Sequence, residues 1–425
     1  MIRALLLILV LLVPGCATAE VPAGGVEVRT GSGGLNRSDH LEKPYVIIVS
    51  FDGFRHDYLD RIEAPNFRRV IEGGVRAGGL IPVFPTKTFP NHYSIATGMY
   101  AESHGLMDNT FYDPDFDALY RLSDTLAVRD PRWYGGEPIW VTAERQGMVS
   151  GAFFFVGSEA PIGGIQPTYV RNYDGRVPNS RRVATVLEWL SLPEEERPHL
   201  VMLYFSDVDN AGHRYGPDSP EVVEAVGQVD RALGQLLDGI AELPIADQIN
   251  LILVSDHGMS AQDPERAEVI DEYAELDGVR SVNAGPYTTL WVGDSVRADL
   301  LRDQLNEGLR HARAYRRYEI PERFRYRQSN RVGDILVLAE PGYQVIRSNG
   351  RANTGGAHGY DPASYTMHGI FLATGPAFPR GELIPAIENV HIYPLVTELL
   401  GLEPNPAIDG ELAVWDEVLR TRVER

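Results

Sequence analysis

The chain has 425 residues and a single cysteine, Cys16. One cysteine excludes an intramolecular disulfide framework and any cysteine-based zinc ribbon. Long apolar runs are scarce as well: the purely apolar N-terminal stretch, residues 4–13, is ten residues long, about half of what a bilayer-spanning helix needs. Basic charge is in deficit, with 39 Lys and Arg against 59 Asp and Glu for a formal net charge of −20. That balance opposes a nucleic-acid polymer as partner, because polymers are held mainly by Lys and Arg neutralising phosphates. A small anion held by metal ions in an acidic protein survives the same test. The rest of the composition, 44% apolar and 23% charged, excludes global disorder, collagen and coiled coil. The length fits about three domains or one large α/β domain with insertions.

The apolar stretch follows Met1-Ile-Arg3, a charged start, and has the length of a secretory h-region. Two processing readings stand side by side. Ala17-Thr18-Ala19 is a small-x-small cleavage site, giving a 1–19 signal peptide. Val13-Pro14-Gly15-Cys16 resembles a lipoprotein box that would leave a lipidated Cys16 as the first residue and a membrane attachment. Both imply export, to the periplasm or to the outer membrane as a lipoprotein. Residues 20–43 read as a polar, Gly-rich linker.

From residue 44 the pattern is that of a folded layer. Tyr45-Val-Ile-Ile-Val-Ser-Phe51, Leu200-Val-Met-Leu-Tyr-Phe205, Leu251-Ile-Leu-Val254 and Gly369-Ile-Phe-Leu-Ala373 are continuous apolar runs, as expected of strands buried on both faces. Between them lie amphipathic helices. The clearest is capped by Ser219 with Pro220 at its first position, and carries Val222, Val226, Val229, Leu233, Leu236, Leu237 and Ile240 on one face. This alternation predicts an α/β fold with a doubly wound, mostly parallel sheet sandwiched by helices, whose ligand site lies beyond the carboxyl ends of the strands.

Three of those strands are followed by a carboxylate: Asp52, Asp209 and Asp256. Asp209-Asn-Ala-Gly-His213 pairs an acid with an imidazole, and Gly212 is read as a turn aiming both at one point. Asp256-His257-Gly258 offers two adjacent ligands, and His358 stands between glycines. Mixed carboxylate and imidazole donors suit zinc, and three Asp with three His suffice for two ions, the arrangement that clamps both oxygens of a phosphoryl displacement. In Phe84-Pro-Thr-Lys-Thr-Phe-Pro-Asn-His-Tyr93, Pro90 marks the start of a helix, which puts Thr88 at an anion-favouring N-terminus. Thr88 is the candidate nucleophile; the alternative is that Thr86 or Thr88 only caps the helix.

Seven segments in order give the sequence a family likeness. They are Phe51-Asp-Gly-Phe-Arg55, Pro85-Thr-Lys-Thr-Phe-Pro-Asn-His92, Thr97-Gly-Met-Tyr-Ala-Glu-Ser-His-Gly105, Asp108-Asn109, Asp209-Asn-Ala-Gly-His-Arg-Tyr-Gly-Pro217, Ser255-Asp-His-Gly-Met259 and Ala357-His-Gly-Tyr-Asp361. The chain resembles the nucleotide pyrophosphatase/phosphodiesterase family of the alkaline-phosphatase superfamily, in a bacterial single-domain form. The resemblance spans about residues 44–401, the expected catalytic domain. It implies two Zn²⁺ per subunit, one held by Asp52, Asp256 and His257 with the Thr88 oxygen, the other by Asp209, His213 and His358. Asn109 and the Thr88 N–H are implied to bind a phosphate oxygen, and Phe89 with Tyr173 to sandwich a nucleobase, Tyr204 lining the same pocket. The implied activity is hydrolysis of nucleotide phosphodiester and pyrophosphate bonds to nucleoside 5′-monophosphates through a threonyl-phosphate, by a monomer acting on small molecules. His92, His104, His368 and His391 match no ligand position and read as structural.

Residues 261–351 are expected to form a small inserted α+β cap lobe, with Arg310-His-Ala-Arg-Ala-Tyr-Arg-Arg317 as a solvated helix face or a phosphate grip and Asp334-Ile-Leu-Val-Leu338 as a strand. Residues 402–425 read as a tail. Alternative functions are a phospholipid-headgroup phosphodiesterase, a phosphomonoesterase of the same superfamily, and an inactive metal-binding surface protein. A sulfatase fits poorly, since the only Cys lies in the signal.

Overall fold

The computed structural model describes residues 33–420; the N-terminal apolar run, both cleavage sites and Cys16 lie outside the described residues. Eight strands form the main sheet: β1 (Tyr45–Phe51), β2 (Gly74–Ala77), β3 (Ser150–Phe153), β4 (Tyr169–Arg171), β5 (Leu200–Phe205), β6 (Ile249–Val254), β7 (Phe371–Thr374) and β8 (Glu382–Ile384). Their order is β8-β2-β7-β6-β1-β5-β3-β4. The centre is parallel, with Val49 of β1 opposite Leu203 of β5 and Leu253 of β6. β7 runs antiparallel between β6 and β2. The Gly369 run is therefore a strand that starts at Phe371, with reversed direction. An all-apolar run reports burial on both faces and carries no information on polarity.

The helices of nine or more residues are α1 (Pro65–Gly73), α2 (Thr88–Thr97), α3 (Asn179–Leu190), α4 (Asp207–Tyr215), α5 (Pro220–Ala241), α6 (Ser295–Gly308) and α7 (Ile392–Leu400). Alternate residues of β1 face opposite cores. Val46 and Ile48 join Ile95 of α2 and Leu395 of α7 on one side. Ile47 and Val49 join Val183 of α3 and Val226 of α5 on the other. Burying each such side chain is worth about 1.5–3 kcal/mol, so two covered faces explain why the strands read as unbroken apolar runs. α5 begins as expected, the Ser219 hydroxyl accepting the Val222 N–H at 3.3 Å.

The inserted lobe is a four-stranded antiparallel sheet in the order Arg280–Val282, Tyr287–Trp291, Ile335–Ala339, Ala312–Arg316. α6 packs on it through Leu301 and Leu305 against Leu290 and Val337. The basic stretch at 310–317 is thus a strand followed by a short turn, and not a helix face. Arg316 pairs with Asp299, and Ala314 faces the lobe core; alternation of period two satisfies the strand and defeats the helix.

Parts of the expected linker and of the expected tail pack at long range against the domain. Asn36, in the expected linker, is buried. It accepts the Val149 N–H at 2.7 Å and donates to the Arg197 carbonyl at 2.7 Å. In the expected tail, Trp415 is fully buried, packs on Phe371 at 4.9 Å and donates its indole N–H to the His391 carbonyl at 2.8 Å. Among the described residues no helix is long and apolar enough to cross a membrane.

Candidate active site

The carboxylates gather at the carboxyl edge of the sheet. Asp52 immediately follows β1 and Asp256 lies two residues beyond β6. Asp209 stands in the first turn of α4, with its N–H on the Asp52 carbonyl at 3.1 Å. Gly53, at φ +67°, permits this approach, since a Cβ there would lie 2.8 Å from the Asp209 Cα. Gly212 is not the expected turn. It sits inside α4, where the four-residue spacing of Asp209 and His213 places both on one face. His358 follows a short strand, Gly355–Ala357, paired with Ser260–Gln262. That strand lies tight against α4: a Cβ on Gly355 would meet the His213 carbonyl at 2.2 Å.

The three histidines are oriented alike. Nδ1 of His213 faces the Gly356 carbonyl at 2.9 Å, Nδ1 of His257 the Gly258 carbonyl at 2.8 Å, and Nδ1 of His358 the Thr86 carbonyl at 2.7 Å. A carbonyl only accepts, so each Nδ1 carries the hydrogen and each Nε2 turns a lone pair inward. Those nitrogens converge with carboxylate oxygens. His257 Nε2 lies 3.0 Å from Asp256 and 3.4 Å from Asp52. His213 Nε2 lies 3.4 Å from Asp209 and 3.0 Å from His358 Nε2. Ligand atoms of Asp52, Asp256 and His257, and of Asp209, His257 and His358, lie within 4.8 Å of one another. Three carboxylate oxygens, Asp52 Oδ1, Asp209 Oδ1 and Asp256 Oδ2, are buried and meet no hydrogen-bond donor among the described residues.

Lone pairs facing lone pairs at these distances repel, and a divalent cation removes the conflict. The donor set of hard carboxylates and imidazoles fits zinc, and the two overlapping groups fit a pair of ions. Electrostatics agree. Burial, then the Asp256 and Asp209 charges, push the Asp52 carboxyl well above its ordinary range. Burial acts the same way on Asp256 but is outweighed by the His257 and His92 imidazoles, which hold it low. Burial works against a charged His257, and the Asp256 carboxylate overrides it, raising its pKa. A proton and a metal ion compete for that nitrogen.

Thr88 opens α2, and its Oγ1 lies 3.3 Å from His257 Nε2. It does not cap the helix, and neither does Thr86, whose hydroxyl donates to the Tyr360 carbonyl and accepts the Gly359 N–H. The Thr88 N–H belongs to the first turn, where the helix ladder offers no acceptor. Asn109 accepts the Phe89 N–H through Oδ1 at 2.8 Å, which leaves its two Nδ2 hydrogens available. Phe89, Asn109, Tyr173 and Tyr204 line one cavity of about 470 Å³ together with Asp52, Thr88, Asp209, His213 and His358. Tyr204 does more than line it, because its hydroxyl donates to Asp52 Oδ2 at 2.6 Å. A second cavity of about 450 Å³ also reaches His213 and carries Lys87 and Arg351. Lys87 takes part in no ion pair among the described residues.

Sequence reasoning missed two neighbours. His92 is structural in that Nδ1 donates to the Thr88 carbonyl and Nε2 accepts from Ser50, yet Nδ1 also lies 3.3 Å from Asp256. Asp108, quoted only as part of a motif, accepts the Asn109 N–H at 2.6 Å and binds Asn283 at 2.7 Å and Tyr287, both from the inserted lobe. The position of His92, four residues after Thr88 on a helix, was the available signal for the first. None existed for the second. His104, His368 and His391 bond locally to Ser94, the Pro362 carbonyl and the Glu411 N–H.

The family model described as type I phosphodiesterase / nucleotide pyrophosphatase matches residues 46–361. The chain belongs to that family. It is 38% identical over 380 residues to human ectonucleotide pyrophosphatase/phosphodiesterase family member 1, which covers 86% of this chain and 41% of the human protein. It is 36% identical over 379 residues to venom phosphodiesterase CdcPDE of Crotalus durissus collilineatus, covering 86% of this chain and 45% of that one. The chain thus spans less than half the length of these curated relatives. Murine ectonucleotide pyrophosphatase/phosphodiesterase 5 superposes with a TM-score of 0.84 at 33% identity, over 88% of this chain and all of that one. An inactive Thr-to-Ala form of the same murine protein, solved in complex with AMP, superposes equally well over 89% of this chain. The family's alkaline-phosphatase-like α/β fold agrees with the sheet described above.

Proposed function

We propose that the protein is an exported two-zinc phosphodiesterase/pyrophosphatase that releases nucleoside 5′-monophosphates through a threonyl-phosphate intermediate. The observation that carries the reading is the clustering of three inward imidazole lone pairs and three undonated carboxylate oxygens, with Thr88 Oγ1 lying 3.3 Å from His257 Nε2. Asp52, Asp256 and His257 would hold one ion together with Thr88, and Asp209, His213 and His358 the other. When bound, the two ions supply Lewis acidity at phosphorus and at the departing oxygen, and acidify an oxygen nucleophile.

This chain's residues do the rest. Thr88 Oγ1 gives up its proton and attacks phosphorus in line; the O–P bond forms as the bond to the leaving oxygen breaks. The Thr88 N–H and the Asn109 amide hydrogens aim at a non-bridging oxygen, whose charge grows in the transition state. Water then cleaves the threonyl ester, returns a proton to Thr88 and frees the monophosphate. Phe89 and Tyr173 supply aromatic faces for a base in the cavity of Thr88. Lys87 and Arg351, in the cavity that also reaches His213, favour an anionic departing group such as pyrophosphate. The murine relative's complex with AMP supports a nucleotide in this kind of site.

Thr88→Ala tests the scheme: the variant is expected to keep about two zinc ions per chain by elemental analysis while turnover of a 4-nitrophenyl nucleotide ester falls at least ~10³-fold. Thr88→Ser should recover part of it. Near-normal rates in Thr88→Ala would exclude the covalent route.

A further inference from the structure

Within the cavity of Phe89 and Tyr173, the charged residues outside the metal-ligand cluster are Arg129 and Glu159. They form an unusual pair. Glu159, its side chain 11% exposed, accepts the Tyr173 N–H through Oε1 at 2.9 Å and Arg129 Nε through Oε2 at 2.9 Å. Each carboxylate oxygen keeps a lone pair to spare. Arg129 enters the pair through Nε, so its two Nη groups have no partner among the described residues. Arg129, its side chain 46% exposed, meets Glu159 through Nε alone, and the Tyr173 N–H occupies the other carboxylate oxygen. The Glu159 carbonyl is itself fixed by Gln166 at 2.7 Å, and Leu122 and Val128 complete an apolar flank of the cavity.

The pair therefore presents an open donor fork beside an acceptor carboxylate that is tied to the Tyr173 backbone. Stacking on Phe89 and Tyr173 holds any base and separates them little. Discrimination comes from the base edge. Guanine alone among the common bases sets two parallel donors, N1–H and the 2-amino group, beside an oxygen acceptor, O6. A carboxylate takes the two donors and an arginine the oxygen. Adenine offers the carboxylate a single amino group, and the pyrimidines are shorter. We propose that Arg129 and Glu159 read the base edge and make guanine the preferred base of this site; the proposal rests on the nucleotide-hydrolase reading above.

The zinc-loaded enzyme is to be compared on 4-nitrophenyl esters of GMP, IMP and AMP, and GMP and AMP binding measured by calorimetry on zinc-loaded Thr88→Ala. The GMP ester is expected to lead the AMP ester in kcat/KM by about 5- to 150-fold, the range of one bidentate contact. IMP, lacking the 2-amino group, should fall between them. Glu159→Gln retains an acceptor for the Tyr173 N–H, and Arg129→Met retains the stem; each should draw the GMP:AMP ratio toward one. Equal kcat/KM for the purines, or a ratio unmoved in both variants, overturns the proposal while leaving nucleotide hydrolysis standing. If 4-nitrophenyl phosphate is cleaved and no nucleotide ester is, the functional reading fails instead, and the GMP against AMP binding ratio then decides the base-edge proposal by itself.

Discussion

Tyr204 lines the cavity of Thr88 and also holds Asp52, a member of the candidate metal cluster. Its ring is buried, and its hydroxyl supplies the sole donor to Asp52 Oδ2 among the hydrogen bonds of the described residues. Burial, followed by the Asp52 charge, pushes the phenol well above its usual range, so it stays a donor. Partners of this kind orient a ligand and set its basicity, and their loss costs about 10–100-fold in metal affinity. Tyr204→Phe is expected to weaken zinc binding by that factor in a chelator competition, with the fold intact by circular dichroism. An unchanged affinity would reduce Tyr204 to a pocket wall. His92 has a comparable position, between the Thr88 carbonyl and Asp256.

At the scale of elements, the site is made where α4, the strand Gly355–Ala357 and the loop after β1 approach one another without side chains in between. Gly355 adopts φ +83°, and a Cβ there would overlap the His213 carbonyl. Gly355→Ala combines left-handed strain, about 1–3 kcal/mol, with a forced retreat of the strand that carries His358. It is expected to lower zinc content from two ions toward one per chain, because the group of Asp52, Asp256 and His257 does not depend on that strand. Full occupancy of both ions in the variant would show that the close approach is dispensable. Strand ends at Phe51 and Val254 were legible in sequence because an acid breaks an apolar run there. The pairing of α4 with the 355–357 strand was not, since it depends on contacts between segments about 140 residues apart.

For the molecule as a whole, the inserted lobe is tied to the segment of Asn109 through Asp108. Burial raises its carboxyl to about 7, against the pull of the Lys87 charge. An unfolded Asp titrates near 3.9, so between about pH 4 and 7 the folded protein holds a proton that the unfolded chain has lost. Stability from this group is complete below that window and falls as pH rises through it, by at most about 4 kcal/mol. Asp108→Asn does not titrate. Thermal melts at constant metal load should therefore show the wild type losing ground to the variant from pH 5 to pH 8, whatever their offset at pH 5. Parallel curves would mean that Asp108 stays ionised throughout.

The sequence by itself determined the layer architecture, the strands that lead to Asp52, Asp209 and Asp256, the helix start at Thr88 and the candidate donors His213, His257 and His358. Each of these rests on local chemistry: an apolar run, a cap, a glycine beside a ligand. Tertiary structure alone decided the reversed direction of β7, the strand at 312–316, the burial of Asn36 and Trp415, and the meeting of Arg129 with Glu159. Those depend on which distant surface each residue faces, and neighbours in the chain carry no record of that.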